Sequence, residues 1–164
     1  MNVYDSFFQI RAIVLDIDGV CTDNTILITD HGEFLRSMNV KDGLAIKKAI
    51  QADFRMAVIS GGRSIGTQKR FELLGIDEIH LGIEHKMIVL ENLIAKWNLS
   101  LAQVAYMGDD LTDIEILSQV GLGACPRDAV PEVLKVSKYI SLLDGGKACV
   151  RDLIEKILQA QDKW

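Results

Sequence analysis

Residues 11–16 place four apolar side chains between an arginine and an aspartate. The run is too short for a helix and suits a strand buried on both faces. Similar runs recur at 54–59, 78–81, 104–107, 122–125 and 139–142, each predicting a strand. Between them the apolar spacing changes to three and four. Helices are expected over 42–50 with Asp42 as cap, 64–74 closed by Gly75, 86–97, and 110–120 closed by Gly121. Pro131 suits the first turn of a short helix, and 150–161 puts Val150, Leu153, Ile154, Ile157 and Leu158 on one amphipathic face. Residues 25–29 and 33–38 flank Asp30-His31-Gly32 and predict a β-hairpin within 25–38. Strands alternating with helices of about ten residues imply α/β architecture. The expectation is one domain over 1–164: a doubly wound, Rossmann-like parallel sheet, a hairpin after the first strand and no cap domain.

Composition narrows the partners. The chain has 18 Lys and Arg against 23 Asp and Glu, a net charge of −5, which argues against a nucleic-acid binder. No apolar stretch reaches the roughly 18 residues of a membrane span, and residues 1–9 show no basic cluster ahead of an apolar run. Cys21, Cys125 and Cys149 are odd in number and lack CxxC spacing, so reduced thiols in the cytoplasm are expected. Mean hydropathy is +0.18, apolar enough to suggest surface hidden between subunits.

In a doubly wound sheet the chemistry sits beyond the carboxyl ends of the strands. The strand over 11–16 ends in Asp16-Ile-Asp18-Gly19, and that over 54–59 runs into Ser60-Gly61-Gly62-Arg63. A further junction leads into Lys86, and Gly108-Asp109-Asp110-Leu-Thr-Asp113 follows the strand over 104–107. Paired carboxylates raise each other's pKa unless a cation intervenes. A hard ion such as Mg²⁺, held by Asp16 and by Asp109 or Asp110, answers that need. Ser60 is either a turn and cap residue or a donor to phosphate. Lys86 at a helix start opposes the helix dipole, which points to a use other than capping. Three acids at 109, 110 and 113 exceed what capping requires.

The series Asp16-x-Asp18-Gly-Val-x-Thr22-Asp23, Ser60, Lys86 and Gly-Asp109-Asp110-x-x-Asp113 resembles the haloacid dehalogenase-like phosphatases through nearly the whole chain. The short length, the hairpin in place of a cap, Asn39-Val-Lys41-Asp42-Gly43 and Gly145-Gly146-Lys resemble one branch, the 3-deoxy-D-manno-octulosonate 8-phosphate phosphatases. The resemblance implies that Asp16 attacks phosphorus and that Asp18 serves as acid and then base. It further implies that Mg²⁺ is held by Asp16, the Asp18 carbonyl and Asp109, that Ser60 and Lys86 hold phosphoryl oxygens, and that Asp110 and Asp113 orient from behind. It puts Asn39, Lys41, Asp42, Gly43, Gly61, Arg63 and Arg70 at the substrate beside Asp18 and Lys86. Arg63 and Arg70, seven apart, would share a helix face toward a carboxylate or form a solvated basic face. The resemblance also implies a homotetramer in which a neighbouring subunit covers the site, with the hairpin as contact, and a place in lipopolysaccharide inner-core synthesis. Cys21, Asn24 and Ala148-Cys149 depart from the branch's pattern.

Other readings differ in one feature each. A nine-carbon ulosonate 9-phosphate would need only a few altered contacts, and Gly62, where an acid is frequent in those relatives, favours the eight-carbon compound. A response-regulator receiver would carry its phosphorylated Asp where Ser60 stands. A non-catalytic module partnering a sugar nucleotidyltransferase would tolerate loss of an acid, and none is lost here.

Overall fold

The protein, described over residues 3–164 by a computed structural model, is built on one six-stranded parallel sheet. The strands are β1 (Ala12–Leu15), β4 (Arg55–Ser60), β5 (Glu78–Leu81), β6 (Val104–Met107), β7 (Leu122–Cys125) and β8 (Tyr139–Ile140), in the order β5-β4-β1-β6-β7-β8. The chain leaves β1 for β4 on one side and later returns to β6 on the other. The strand order therefore reverses at β1, which is where such sheets bind ligands. Leu15 pairs with Val58 and with Met107, so Asp16, Ser60 and Asp109 emerge within two residues of one another along the same edge.

The apolar runs hide an alternation that only the layers make visible. Ile13 and Leu15 face a core that includes α1 (Val3–Gln9), α2 (Val40–Gln51), α3 (Ile65–Leu74) and α7 (Cys149–Ala160). Ala12 and Val14 face a second core under α4 (Lys86–Trp97), α5 (Ile114–Gln119) and α6 (Pro131–Val136). Two buried faces require runs without polar gaps. The terminal helix behaves as its pattern predicts, with Val150, Leu153, Ile154, Ile157 and Leu158 all buried.

Several boundaries move for identifiable reasons. Asn39, not Asp42, caps α2: its side chain accepts from the Lys41 N–H. Asp42 is instead buried within the first turn, where a carboxylate oxygen accepts from the Arg151 N–H of α7. The segment after β6 begins as a 3-10 turn (Leu111–Asp113) before α5, and β8 stops at Ile140. Helix α1 was not expected from the pattern; residues 1 and 2 of that opening stretch lie outside the described residues. The hairpin is reduced to β2 (Leu27–Ile28) against β3 (Phe34–Leu35), with Gly32 at φ 79 in its turn. Among the described residues no cap domain follows β1, and no helix is long and apolar enough to cross a membrane.

Candidate active site

Asp16 leaves β1 into a buried corner where its two carboxylate oxygens have different partners. Oδ1 accepts from the Ile17 N–H at 2.7 Å, and Oδ2 faces Lys86 Nζ at 2.8 Å. Lys86 opens α4 behind His85, which makes no side-chain cap. Its ammonium is also 2.7 Å from Asp113 Oδ1, which in turn accepts from the Tyr106 hydroxyl at 2.6 Å. Asp113 Oδ2 accepts from the N–H groups of Asp109 and Asp110. Every oxygen of Asp113 is thus committed, and a lysine at an unfavourable helix position is held there by two acids. Burial alone would lower the Lys86 pKa, but Asp16 and Asp113 outweigh it and hold it above its ordinary value. Burial, then Asp113, push Tyr106 well up, keeping it a phenol that can donate.

Beside this network Asp109 follows β6. Asn24 Nδ2 donates to Asp109 Oδ2 at 2.8 Å. Gly19, at φ 82, is required by the same close approach: a Cβ there would lie 1.9 Å from Asp109 Oδ2. Asp16, Asp109 and Asp113 offer carboxylate oxygens within 4.8 Å of one another. Burial is the first cause pushing Asp16 up to about 7 and Asp109 up to about 6, with Asp113 adding to both. An all-oxygen set of buried carboxylates that resist ionising together fits a hard divalent cation. Since Asp113 is already saturated, Asp16 and Asp109 are the side chains left to hold one.

Across the cleft stand Ser60 and Asp18. Ser60 ends β4, buried, and its Oγ accepts from the Gly62 N–H at 3.3 Å, leaving its proton to donate. It caps no helix, because Ser64 caps α3 by accepting from Thr67 N–H. The Asp18 carboxylate is held by Arg36, whose Nε and Nη2 donate to Oδ1 at 2.7 Å and to Oδ2 at 2.9 Å. A cleft of about 460 Å³ joins these groups, with Asp16, Asp18, Ser60, Gly61, Lys86 and Asp109 in its wall. A cleft of about 480 Å³ lies at the opposite edge, by Arg55 and Glu78 at the starts of β4 and β5. Its Glu78 is already paired with Lys96 and His80.

Comparison with known proteins places the chain that carries this cleft. A haloacid dehalogenase-like hydrolase family pattern matches residues 79–144. The 3-deoxy-D-manno-octulosonate 8-phosphate phosphatase of Yersinia pestis is 38% identical over 155 residues, 94% of this chain and 83% of that protein. The Escherichia coli K12 phosphatase of the same description is 35% identical, over 94% of this chain and 82% of its own. The chain belongs to the haloacid dehalogenase-like hydrolases, among the 3-deoxy-D-manno-octulosonate 8-phosphate phosphatases. Solved structures superpose closely. The Yersinia pestis phosphatase matches with TM-score 0.96 at 37% identity, covering 98% of this chain and 87% of that one. The Moraxella catarrhalis phosphatase, solved with a magnesium ion, a phosphate ion and a KDO molecule, gives 0.95 at 31%, covering 98% and 92%.

Against this family background the remaining expected residues fall into two groups. Gly61 lines the cleft, and Asp110 borders it while accepting from the Leu111 N–H at the start of the 3-10 turn. Asn39, Lys41, Asp42, Gly43, Arg63 and Arg70 do not line it. Asn39 caps α2 and donates to the Gly146 carbonyl, Asp42 ties α2 to α7, and Gly43 packs against Arg70. Arg63 precedes the Ser64 cap and is folded against Gly82, so it shares no helical face with Arg70. Cys21 is buried, donates to the Asp16 carbonyl, and is pushed well up by burial, which removes it as a nucleophile. Three residues of the site were not foreseen as such. Tyr106 signalled itself only as a phenol inside a buried strand, and Asn24 only as a departure from the branch. Arg36 signalled itself only as a cation following two apolar residues of the hairpin's second strand.

Proposed function

We propose that this chain hydrolyses 3-deoxy-D-manno-octulosonate 8-phosphate to the free eight-carbon sugar acid and inorganic phosphate, as a Mg²⁺-dependent enzyme. The observation that carries the reading is the pair of unlike carboxylates facing one cleft, Asp16 held by Lys86 and Asp18 held apart from it by Arg36. Its membership among phosphatases of that name supports the substrate.

In this reading a carboxylate oxygen of Asp16 attacks phosphorus while the ester P–O bond breaks, giving an aspartyl phosphate and splitting one displacement into two. Asp18 gives its proton to the departing sugar oxygen. It then takes a proton from the water that attacks the aspartyl phosphate, which releases phosphate and restores Asp16. Ser60 and Lys86 hold the phosphoryl oxygens, and Asp113 with Tyr106 keeps Lys86 aimed at them. Mg²⁺, held by Asp16, Asp109 and the main-chain carbonyl of Asp18, supplies charge neutralisation for the phosphoryl group. We read the chain as one domain acting in the cytoplasm in lipopolysaccharide inner-core synthesis. The exposed Leu27, Ile28, Phe34 and Leu35 of the hairpin support a homotetramer in which a neighbour covers the cleft.

The test is phosphate release with Mg²⁺ on the eight-carbon and nine-carbon ulosonate phosphates side by side. The expected result is a clear kcat/KM preference for the eight-carbon compound, with Asp16→Asn lowering turnover by at least about 10⁴-fold. Equal, slow turnover of both compounds would remove the substrate, and an active Asp16→Asn would remove the mechanism.

A further inference from the structure

The hairpin reaches the cleft through one buried side chain. Arg36 directly follows β3, and its side chain is only 9% exposed although the strand before it is open to solvent. Its Nε and Nη2 make a two-point fork to the Asp18 carboxylate, and its Nη1 is buried without a partner. No second acid pairs with this guanidinium among the described residues. The loop after β4 closes against the pair from the other side: a Cβ on Gly62 would lie 3.1 Å from both Arg36 Nη2 and Asp18 Oδ2. The Asp18 carboxylate is therefore fixed in plane by the fork and walled by backbone, while Asp18 itself, 31% exposed, lines the cleft. A planar fork fixes the direction of a carboxylate in a way that a single ammonium cannot.

We propose that Arg36 is the positioning residue of the proton-transfer step, aiming Asp18 at the ester oxygen and linking the placement of the hairpin to that step. This rests on the reading of Asp18 as acid and base given above. As the P–O bond breaks, its electron pair goes to the ester oxygen, which takes the proton from Asp18. The carboxylate left behind sits in the Arg36 fork until it takes a proton from the attacking water. Arg36 touches neither reacting atom and acts only through Asp18. Its contribution should therefore grow as the leaving oxygen becomes more basic and more dependent on a delivered proton.

The experiment measures kcat/KM, at saturating Mg²⁺ and under single-turnover conditions, over a series of aryl phosphates from p-nitrophenyl to phenyl. It compares the wild type with Arg36→Met and Arg36→Lys. The expected result is a steeper dependence on leaving-group basicity in Arg36→Met, its loss growing by about tenfold or more from one end of the series to the other. Arg36→Lys, which keeps the charge and loses the fork, falls between. A loss that is equal across the series, or absent, overturns the proposal. If Arg36→Met does not fold, Arg36→Lys decides alone, and an unchanged slope in it is equally fatal. The series contains no ulosonate phosphate, so failure of the substrate assignment and failure of the Arg36 proposal are read separately.

Discussion

Asp16 and Asp18 are two residues apart and are held by two unlike devices. The cation of Asp16 comes from the sheet scaffold: Lys86 on α4, locked by Asp113 and Tyr106, with every partner buried. The cation of Asp18 comes from an insertion whose own ladder is two residue pairs long and whose apolar side chains face solvent. Leu27 is 65% exposed and Phe34 55%. The first device is made of elements that cannot move without unfolding the core. The second is anchored to the cleft by a two-point ion pair carried on a hairpin whose own strands are exposed. A nucleophile needs fixed geometry through the whole cycle, whereas an acid that becomes a base serves two different oxygens in turn. A mount inside the buried sheet edge on one side and one carried by an exposed insertion on the other suit that division.

The comparison breaks most sharply in stability. Lys86→Met leaves Asp16 and Asp113 buried with no cation between them, a situation that costs about 3–5 kcal/mol. Arg36→Met leaves Asp18, which is partly exposed, to recover water, and should cost about 1 kcal/mol. Urea unfolding midpoints of the two variants at pH 8, converted with the common m-value, check the contrast. At pH 5 the Lys86→Met loss should shrink, since Asp16 then takes up a proton. Equal losses for the two variants would mean that the Asp18–Arg36 pair contributes as much to the fold as the buried Asp16–Lys86 pair.

The same division decides what could be read in the sequence. Runs such as 104–107 are strands because two covered faces leave no polar position, and the residues just past them had to share one edge. Asp16, Ser60, Lys86 and Asp109 were therefore legible as one site before any coordinates. The residues around 39–43 were not, because a polar cluster at a helix start serves a cap or a buried tie as readily as a ligand. Asn39 and Asp42 turn out to do the former two. Arg63 and Arg70 failed as a pair because helical periodicity begins only after the Ser64 cap. Arg36 was hidden for a different reason: pairing across 18 residues through an irregular loop leaves no periodic trace.

A smaller effect sharpens the sheet side of the comparison. The folded-state pKa values of Asp16 and Asp109, about 7 and about 6, lie above the ordinary 3.8. Without metal the folded chain holds protons that the unfolded chain has released. The stability these two groups confer is thus complete below about pH 3.8 and is lost as pH rises through 6 to 7. Mg²⁺ must displace those protons at low pH and meets ionised ligands at high pH. Thermal melting with and without excess Mg²⁺ should show little stabilisation near pH 4.5 and a clear one at pH 8. At a hundredfold excess over Kd the gain at pH 8 is about 2.7 kcal/mol. Taking the difference between the two melts at each pH cancels the carboxylates elsewhere, such as Asp23 and Asp144, whose lowered values act in the opposite sense. Equal stabilisation at both pH values would remove Asp16 and Asp109 as the ligands.

The finest cut falls at Asn24, where the two devices meet. It stands at the root of the insertion, in the left-handed region at φ 63, and its amide donates to Asp109 Oδ2 on the sheet side. Asn24→Gly keeps the backbone conformation at no steric cost and deletes only that hydrogen bond. Asp109 then loses the hydrogen bond that fixes its orientation, and the Mg²⁺ Kd measured by isothermal titration at pH 8 should rise by about 10-fold, the low end of what outer hydrogen-bond partners contribute. Such a rise would mean that the insertion reaches both carboxylate systems, steering Asp18 through Arg36 and steadying Asp109 through its first residues. An unchanged Kd would confine the insertion to Asp18 and leave the cation site wholly to the sheet.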